Sequence, residues 1–152
     1  NPERVVGFHF FWPASMMRLI EVIEGEATSE DTLQTATNFA QAIRKTPVRC
    51  GEVPGFVVNR ILMSGAAEIW RAQQESGKTP QEVDQKIQES KALPMGPFFL
   101  ADMTGLDTTL HVAQNMVDSY GERFYIHPGM QELVEGGNYG QKTGKGFYEH
   151  GS

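Results

Sequence analysis

Short apolar runs open the chain, and longer segments with helical spacing follow them. The first run, residues 5–11, is rich in valine and phenylalanine, and the second, residues 19–23, is apolar with Glu21 at its centre. Both patterns predict short strands, and Pro13 with its small neighbours predicts a loop between them. A third short strand is predicted at residues 47–50.

The segment between the second and third strands has the signals of a helix. Thr28 and Ser29 can cap its start, two acids follow in the first turn, and Arg44 and Lys45 stand at its end. These charges match the helix dipole at both ends. A strand, a helix and a further strand in this order are typical of the trailing part of an α/β sheet.

After a break at residues 52–55 the pattern becomes helical. Spacings of three and four residues between apolar positions, with proline and glycine at the boundaries, predict helices at residues 56–74, 80–89, 98–103, 106–120 and 128–135. Thr79 and Glu82 form a predicted capping box before the second of them. The expected fold class is mainly α, with an α/β remnant at residues 1–51 and an all-helical domain at residues 52–152.

Composition narrows the function classes. The 152 residues include 39% hydrophobic residues and 21% charged residues, which is enough for a packed core and argues against disorder. A net charge of −6 argues against a general nucleic-acid binder. No apolar run reaches the length of a membrane span, and no signal peptide is visible, so membrane insertion is not expected.

Cys50 is the single cysteine, so an internal disulfide is excluded and a reducing compartment is the default. A buried, inert thiol is the favoured interpretation of this residue. His111, His127 and His150 show no metal-ligand spacing, and His127, directly before Pro128, is interpreted as a loop residue. We therefore expect no metal site.

His9 and Glu21 are the main lead to chemistry. They are twelve positions apart on the two first predicted strands, and a histidine oriented by a carboxylate is a general acid/base pair near neutral pH. If the two strands are neighbours, Glu21 can reach a ring nitrogen of His9. The alternatives are a satisfied core histidine between Phe8 and Phe10 and a solvated glutamate.

The first strand begins within five residues of Asn1, and no hairpin partner precedes it. This position predicts that the chain comes from the interior of a larger protein.

Six collinear segments together cover nearly the whole chain. They are His9-Phe10-Phe11-x-Pro13, residues 17–23 with Thr28-Ser29, residues 54–60, residues 94–98, Asp102-x-x-Gly105-Leu106-Asp107 and residues 144–148. Taken together, these segments resemble the NAD-dependent L-3-hydroxyacyl-CoA dehydrogenases.

The resemblance implies roles for three residues. His9 corresponds to the general base that removes the proton of the substrate's 3-hydroxyl, and Glu21 corresponds to its carboxylate partner. Asn59 corresponds to a polar contact to the substrate. Without the resemblance, Asn59 would be interpreted as a capping or exposed residue.

The chain departs from the family at Trp12, where the family usually has asparagine. Tryptophan offers only an N–H donor and has a larger volume, which affects the expected detail of the pocket. The glycine-rich NAD fingerprint of the family, Gly-x-Gly-x-x-Gly, is missing from the sequence. NAD is therefore expected to bind mainly to an absent N-terminal Rossmann domain, and no cofactor-binding residue is assigned in this chain.

The resemblance predicts the C-terminal portion of an NAD-dependent 3-hydroxyacyl-CoA dehydrogenase of fatty-acid or acyl-CoA oxidation, inactive or nearly so as an isolated fragment. It implies an acyl-CoA substrate, a homodimer through the helical domain, and a cytoplasmic or mitochondrial-matrix location. Two alternatives remain open. One is a non-catalytic helical dimerisation module, and the other is a related hydroxy-acid dehydrogenase that does not use CoA thioesters.

Overall fold

A three-stranded sheet with one helix occupies the N-terminal part of the computed structural model, which describes residues 1–151. Strand β1 (Gly7–Phe10) runs antiparallel to β2 (Leu19–Glu24), and β2 runs parallel to β3 (Thr46–Gly51). A parallel neighbour requires a crossover, which helix α1 (Glu30–Ala42) supplies. The three predicted strands and the predicted helix between them are confirmed, with bounds that shift by a few residues.

Strand β2 is the centre of this part of the chain. Its residues 20–23 are all buried, because the strand has a partner on each side and α1 packs against the sheet. Ser29 caps α1 by accepting a hydrogen bond from the amide of Thr32 at 3.2 Å. The burial of Glu21 within this strand sets the conditions for its chemistry.

Five helices make up most of residues 58–135. They are α2 (Val58–Ser76), α3 (Pro80–Glu89), α4 (Pro97–Thr104), α5 (Leu106–Tyr120) and α6 (Pro128–Glu135). Short 3₁₀ turns occur at Pro2–Arg4, Gly121–Arg123 and Gln141–Thr143. The predicted fold class, mainly α with a small sheet in front, is confirmed.

The chain divides into two compact units, Asn1–Arg60 and a second unit that begins at Ile61. The division falls inside α2, whereas the sequence predicts a domain boundary between residues 51 and 52. That domain boundary stays a prediction. Within residues 1–151, the helices fall short of the length and apolar character that a membrane crossing requires.

The core of the second unit is a single apolar cluster. Its buried members are Trp70, Phe98, Ala101, Leu106, Ala113 and Met130. Phe98 is fully buried in this cluster, and its ring contacts the ring of Phe147 edge to face with 4.9 Å between the ring centres.

Two buried aspartates tie the last residues of the chain to this core. Asp102 accepts hydrogen bonds from the amides of Phe147 (3.0 Å) and Tyr148 (2.9 Å) and pairs with Nε2 of His150 at 2.8 Å. Asp84 accepts a hydrogen bond from the hydroxyl of Tyr148 at 2.8 Å. Burial, followed by the bond to Asp84, raises the pKa of Tyr148. The segment from Phe147 to His150 is therefore held by several hydrogen bonds to buried carboxylates.

His127 lies in the loop directly before α6, as the sequence predicts, and it has a structural role there. The histidine is buried and caps α6, because its Nδ1 accepts a hydrogen bond from the amide of Met130 at 3.3 Å. Its Nε2 lies 2.7 Å from Oε1 of Gln73 and is therefore the donor in that bond. Histidine is uncommon as a cap, so the sequence offers little signal for this role.

The His127→Asn variant is expected to remove part of the acid sensitivity of the second unit. Burial lowers the pKa of His127 below its ordinary value of 6.5, with the charge of Glu132 opposing this effect. The unfolded chain then takes up the proton first. The contribution of His127 to the free energy of unfolding is present above pH 6.5. It is lost as the pH falls from 6.5 through the lowered folded pKa, by at most about 1.4 kcal/mol per pH unit.

Asparagine keeps the cap and cannot titrate in this range. Urea unfolding between pH 5 and 7 is the measurement, and His111→Asn, at an exposed site on α5, is the control. An equal acid slope in wild type and His127→Asn would contradict this assignment.

Candidate active site

His9 and Glu21 are direct cross-strand partners in the β1–β2 pair. This register places both side chains on the same face of the sheet. Nδ1 of His9 lies 2.8 Å from Oε2 of Glu21. The glutamate side chain is fully buried, whereas 33% of the histidine side chain is exposed. The structure thus brings together the two residues that the sequence singled out, with the histidine on the accessible side.

The second carboxylate oxygen of Glu21 is bound at the start of α2. Oε1 accepts hydrogen bonds from the amides of Val57 and Val58, each at 2.9 Å. Amides at a helix N-terminus lack partners inside the helix and carry partial positive charge, so they suit a carboxylate. These contacts compensate a buried charge that would otherwise be costly.

This arrangement determines which nitrogen of His9 is available as a base. A carboxylate can only accept hydrogen bonds, so the nitrogen that faces Glu21, Nδ1, carries the proton. The lone pair of the neutral ring is then on Nε2. The pair can accept a proton at Nε2 and stabilise the resulting imidazolium through Glu21.

Two aromatic rings lie close to the imidazole of His9. The ring of Phe11 lies 4.8 Å from that of His9, and the ring of Phe56 lies 5.7 Å from it, at interplanar angles of 58° and 53°. Both distances lie in the range of packed aromatic pairs.

Asn59 is the second residue of α2, in the same helical turn as the amide donors of Glu21. Its side chain is half-buried. The structure confirms its place in the first turn of the long helix, and its contact with a substrate stays a prediction.

Trp12 lies in the loop between β1 and β2 and is 81% exposed. The ammonium group of Lys45 holds this loop by donating to the carbonyl oxygens of Ala14 (2.5 Å) and Met17 (2.6 Å). Trp12 therefore presents its indole to solvent from an anchored loop three residues after His9.

Cys50 is half-buried at the end of β3. Burial raises the pKa of its thiol, the charge of Glu21 raises it further, and Arg60 opposes both. A raised pKa keeps the thiol protonated at neutral pH, which supports the interpretation of Cys50 as structural. Among residues 1–151, no group of three or more metal-binding side chains is close enough to hold an ion.

Comparison with known families agrees with this geometry. Residues 1–53 match the family model described as the 3-hydroxyacyl-CoA dehydrogenase NAD binding domain. Residues 55–150 match the model of the 3-hydroxyacyl-CoA dehydrogenase C-terminal domain.

The chain belongs to the 3-hydroxyacyl-CoA dehydrogenase family.

Individual relatives support this membership. The chain is 38% identical over 151 residues to the 3-hydroxyadipyl-CoA dehydrogenase of Escherichia coli K12, covering 98% of this chain and 32% of the relative. It is 37% identical over 150 residues to the mitochondrial hydroxyacyl-coenzyme A dehydrogenase of Sus scrofa, covering 97% of this chain and 48% of the relative. The chain thus spans about one third to one half of these relatives.

A solved structure shows the same fold. The crystal structure of a 3-hydroxybutyryl-CoA dehydrogenase from Escherichia coli K12 aligns with a TM-score of 0.92 at 38% identity, covering 98% of this chain and 32% of that chain. The aligned region includes both the sheet-containing part and the helices of this chain.

NAD is the cofactor that membership in the 3-hydroxyacyl-CoA dehydrogenase family implies, and residues 1–53 match its binding domain. The residues of this chain fit only a part of the site that the cofactor requires. His9 offers a base with a free Nε2, but the 152 residues contain no Gly-x-Gly-x-x-Gly turn to receive the pyrophosphate. No residue of this chain is therefore assigned to hold NAD.

Sequence reasoning missed the amide donors of Glu21 and both buried aspartates. Backbone amides carry no residue-specific signal. Asp102 and Gly146 both lie in segments shared with the 3-hydroxyacyl-CoA dehydrogenases, and a Cβ at Gly146 would overlap the Asp102 carboxylate. Gly146 was therefore the sequence signal that could have indicated the buried Asp102, since close approach to another group is a common reason for glycine.

Proposed function

We propose that this chain is the C-terminal portion of an NAD-dependent dehydrogenase that oxidises the 3-hydroxyl of an acyl-CoA to a 3-oxoacyl-CoA, in fatty-acid or related acyl-CoA oxidation. The observation that carries the proposal is the 2.8 Å contact between Nδ1 of His9 and the buried carboxylate of Glu21. That contact leaves Nε2 as a base on the accessible side of the pair. Family membership supplies the reaction class.

In this reaction, Nε2 of His9 accepts the proton of the substrate's 3-hydroxyl as the C3–H bond breaks and the C3–O bond becomes a carbonyl. A bound NAD would supply the acceptor for the hydride that leaves C3. The imidazolium that forms keeps its Nδ1–H bond to Glu21, so the new positive charge faces a fixed negative one. In the reverse direction His9 returns the proton to the 3-oxo oxygen.

We assign to Asn59 a polar contact with the substrate. This assignment is supported by its position in the first turn of α2, directly after Val58, whose amide binds Glu21. An amide side chain can donate to a carbonyl oxygen and accept from a hydroxyl, so it suits both the oxidised and the reduced substrate.

We further propose a homodimer formed through the helical part. Ile61 and Leu62 on α2, and Leu100 on α4, are large apolar side chains that are 65%, 51% and 44% exposed. Apolar helix positions of this kind favour burial against a second copy. A cytoplasmic or mitochondrial-matrix location fits relatives that include bacterial proteins and a protein named as mitochondrial.

The direct test uses an intact form in which this chain follows a complete NAD binding domain. We expect it to oxidise NADH when acetoacetyl-CoA is added, and to do so far more slowly with free acetoacetate. The isolated 152-residue chain should show no turnover, because it lacks the pyrophosphate-binding turn.

Equal turnover of the free acid would instead favour a hydroxy-acid dehydrogenase that does not need CoA. An intact form that binds NAD but turns over neither compound would favour a non-catalytic module. Either result would contradict the proposed function.

A further inference from the structure

Phe56 has a backbone conformation that is rare for an aromatic residue. Its φ is +42°, and the preceding Gly55 has a φ of +74°. Glycine adopts positive φ freely, but a side chain at such an angle is strained and persists only where surrounding contacts favour it. Two consecutive residues with positive φ form the turn between Pro54 and α2.

This turn orients the amides at the start of α2 towards Glu21 of the sheet. Its geometry is closed by a hydrogen bond from the amide of Phe56 to the carbonyl of Val53 at 2.9 Å. The next two amides, those of Val57 and Val58, both reach Oε1 of Glu21. The turn therefore positions two hydrogen-bond donors at the buried carboxylate of Glu21.

The backbone alone does not explain a phenylalanine at this position, because glycine would form the same turn with less strain. The side chain is explained by the site. The Phe56 ring lies 5.7 Å from the imidazole of His9, and Phe11 lies against the same imidazole. Phe56 thus contributes its backbone to the turn that binds Glu21 and its ring to the contact with His9.

We propose that Phe56 is a positioning residue, which holds the imidazole of His9 so that Nδ1 keeps its bond to Glu21. Its catalytic consequence rests on the proposed function, whereas the positional claim concerns the imidazole–carboxylate bond itself. Phe56 touches no reacting atom and acts only through His9.

The test is nuclear magnetic resonance on the 152-residue chain with ¹⁵N-labelled histidine. In wild type we expect a single tautomer of His9 with the proton on Nδ1, and a nuclear Overhauser effect between the His9 and Phe56 rings. In Phe56→Gly, exchange of the Nδ1 proton with water should become roughly five- to tenfold faster, and the tautomer signal should become averaged. The Val57 and Val58 amides should stay protected.

Two variants separate positioning from general stability. Phe56→Tyr keeps the ring and should restore the wild-type exchange rate and tautomer. Arg44→Gly is the matched control, because Arg44 is an exposed residue of the same unit with a φ of +61°. It relieves comparable strain without removing a ring beside His9, and should leave the histidine signals unchanged.

Unchanged Nδ1 exchange and an unchanged tautomer in folded Phe56→Gly would overturn the proposal. If that variant fails to fold, Phe56→Leu, which keeps apolar volume without a ring, is measured in its place with the same two outcomes. The absence of the His9–Phe56 ring effect in wild type would also overturn it. None of these measurements uses substrate, so lack of dehydrogenase activity in the intact form would overturn the proposed function alone.

Discussion

Replacing His9 by glutamine is expected to lower kcat of the intact dehydrogenase by about 10²- to 10⁴-fold, the usual contribution of a general base. Glutamine is polar and can still donate a hydrogen bond to the carboxylate of Glu21, which lies 2.8 Å from the histidine in wild type. It cannot accept the proton of the 3-hydroxyl. Because the missing interaction belongs to the transition state, KM should change much less than kcat.

The measurement is the initial rate of NADH consumption with acetoacetyl-CoA. His111→Gln serves as the control, since it makes the same replacement at an exposed site on α5 and should keep full activity. A His9→Gln enzyme whose kcat stays within about threefold of wild type would remove His9 from the reaction. A large rise in KM at constant kcat would instead make it a binding residue.

Replacing Asp102 by alanine is expected to lower the free energy of unfolding of the second unit by about 3–5 kcal/mol. The carboxylate is 1% exposed and accepts bonds from the amides of Phe147 and Tyr148 as well as from His150. Its removal leaves two amides without partners in the protein, each at a cost of about 1–3 kcal/mol. The last residues of the chain should then detach first.

Urea unfolding followed by Trp70 fluorescence reports on this unit, because Trp70 is buried in its core. A Trp12→Phe background removes the second tryptophan. Asp118→Ala is the matched control: Asp118 is exposed on α5, and its loss should change stability by less than about 0.5 kcal/mol. A similarly small change for Asp102→Ala would show that the terminal segment does not depend on this carboxylate.

Local patterns predicted the helices well. Helices α5 and α6 have the bounds that apolar spacing, Gly105 and Pro128 indicated, and both hydrogen bonds of the capping box at Thr79 are present. These signals act between residues at most four positions apart, so the sequence alone contains them. The sequence was less informative at His127, where a long-range bond to Gln73 favours a buried cap.

The candidate site was predictable in part, because its two residues belong to strands that are neighbours in the sequence. His9 and Glu21 lie on strands joined by a short loop, so pairing of neighbouring strands was enough to bring them together. The donors to Oε1 of Glu21 were not predictable, because Val57 and Val58 are 36 and 37 residues away from it.

The sequence by itself determined the order and kind of the helices and strands and the family, and it singled out His9 and Glu21 as a candidate pair. Only the tertiary structure decided how the buried charges are compensated: Glu21 at the start of α2, and Asp102 against the last residues of the chain. The physical reason is that these partners are backbone amides. Nearly every residue carries the same amide, so its identity says nothing about which distant carboxylate the fold will bring to it.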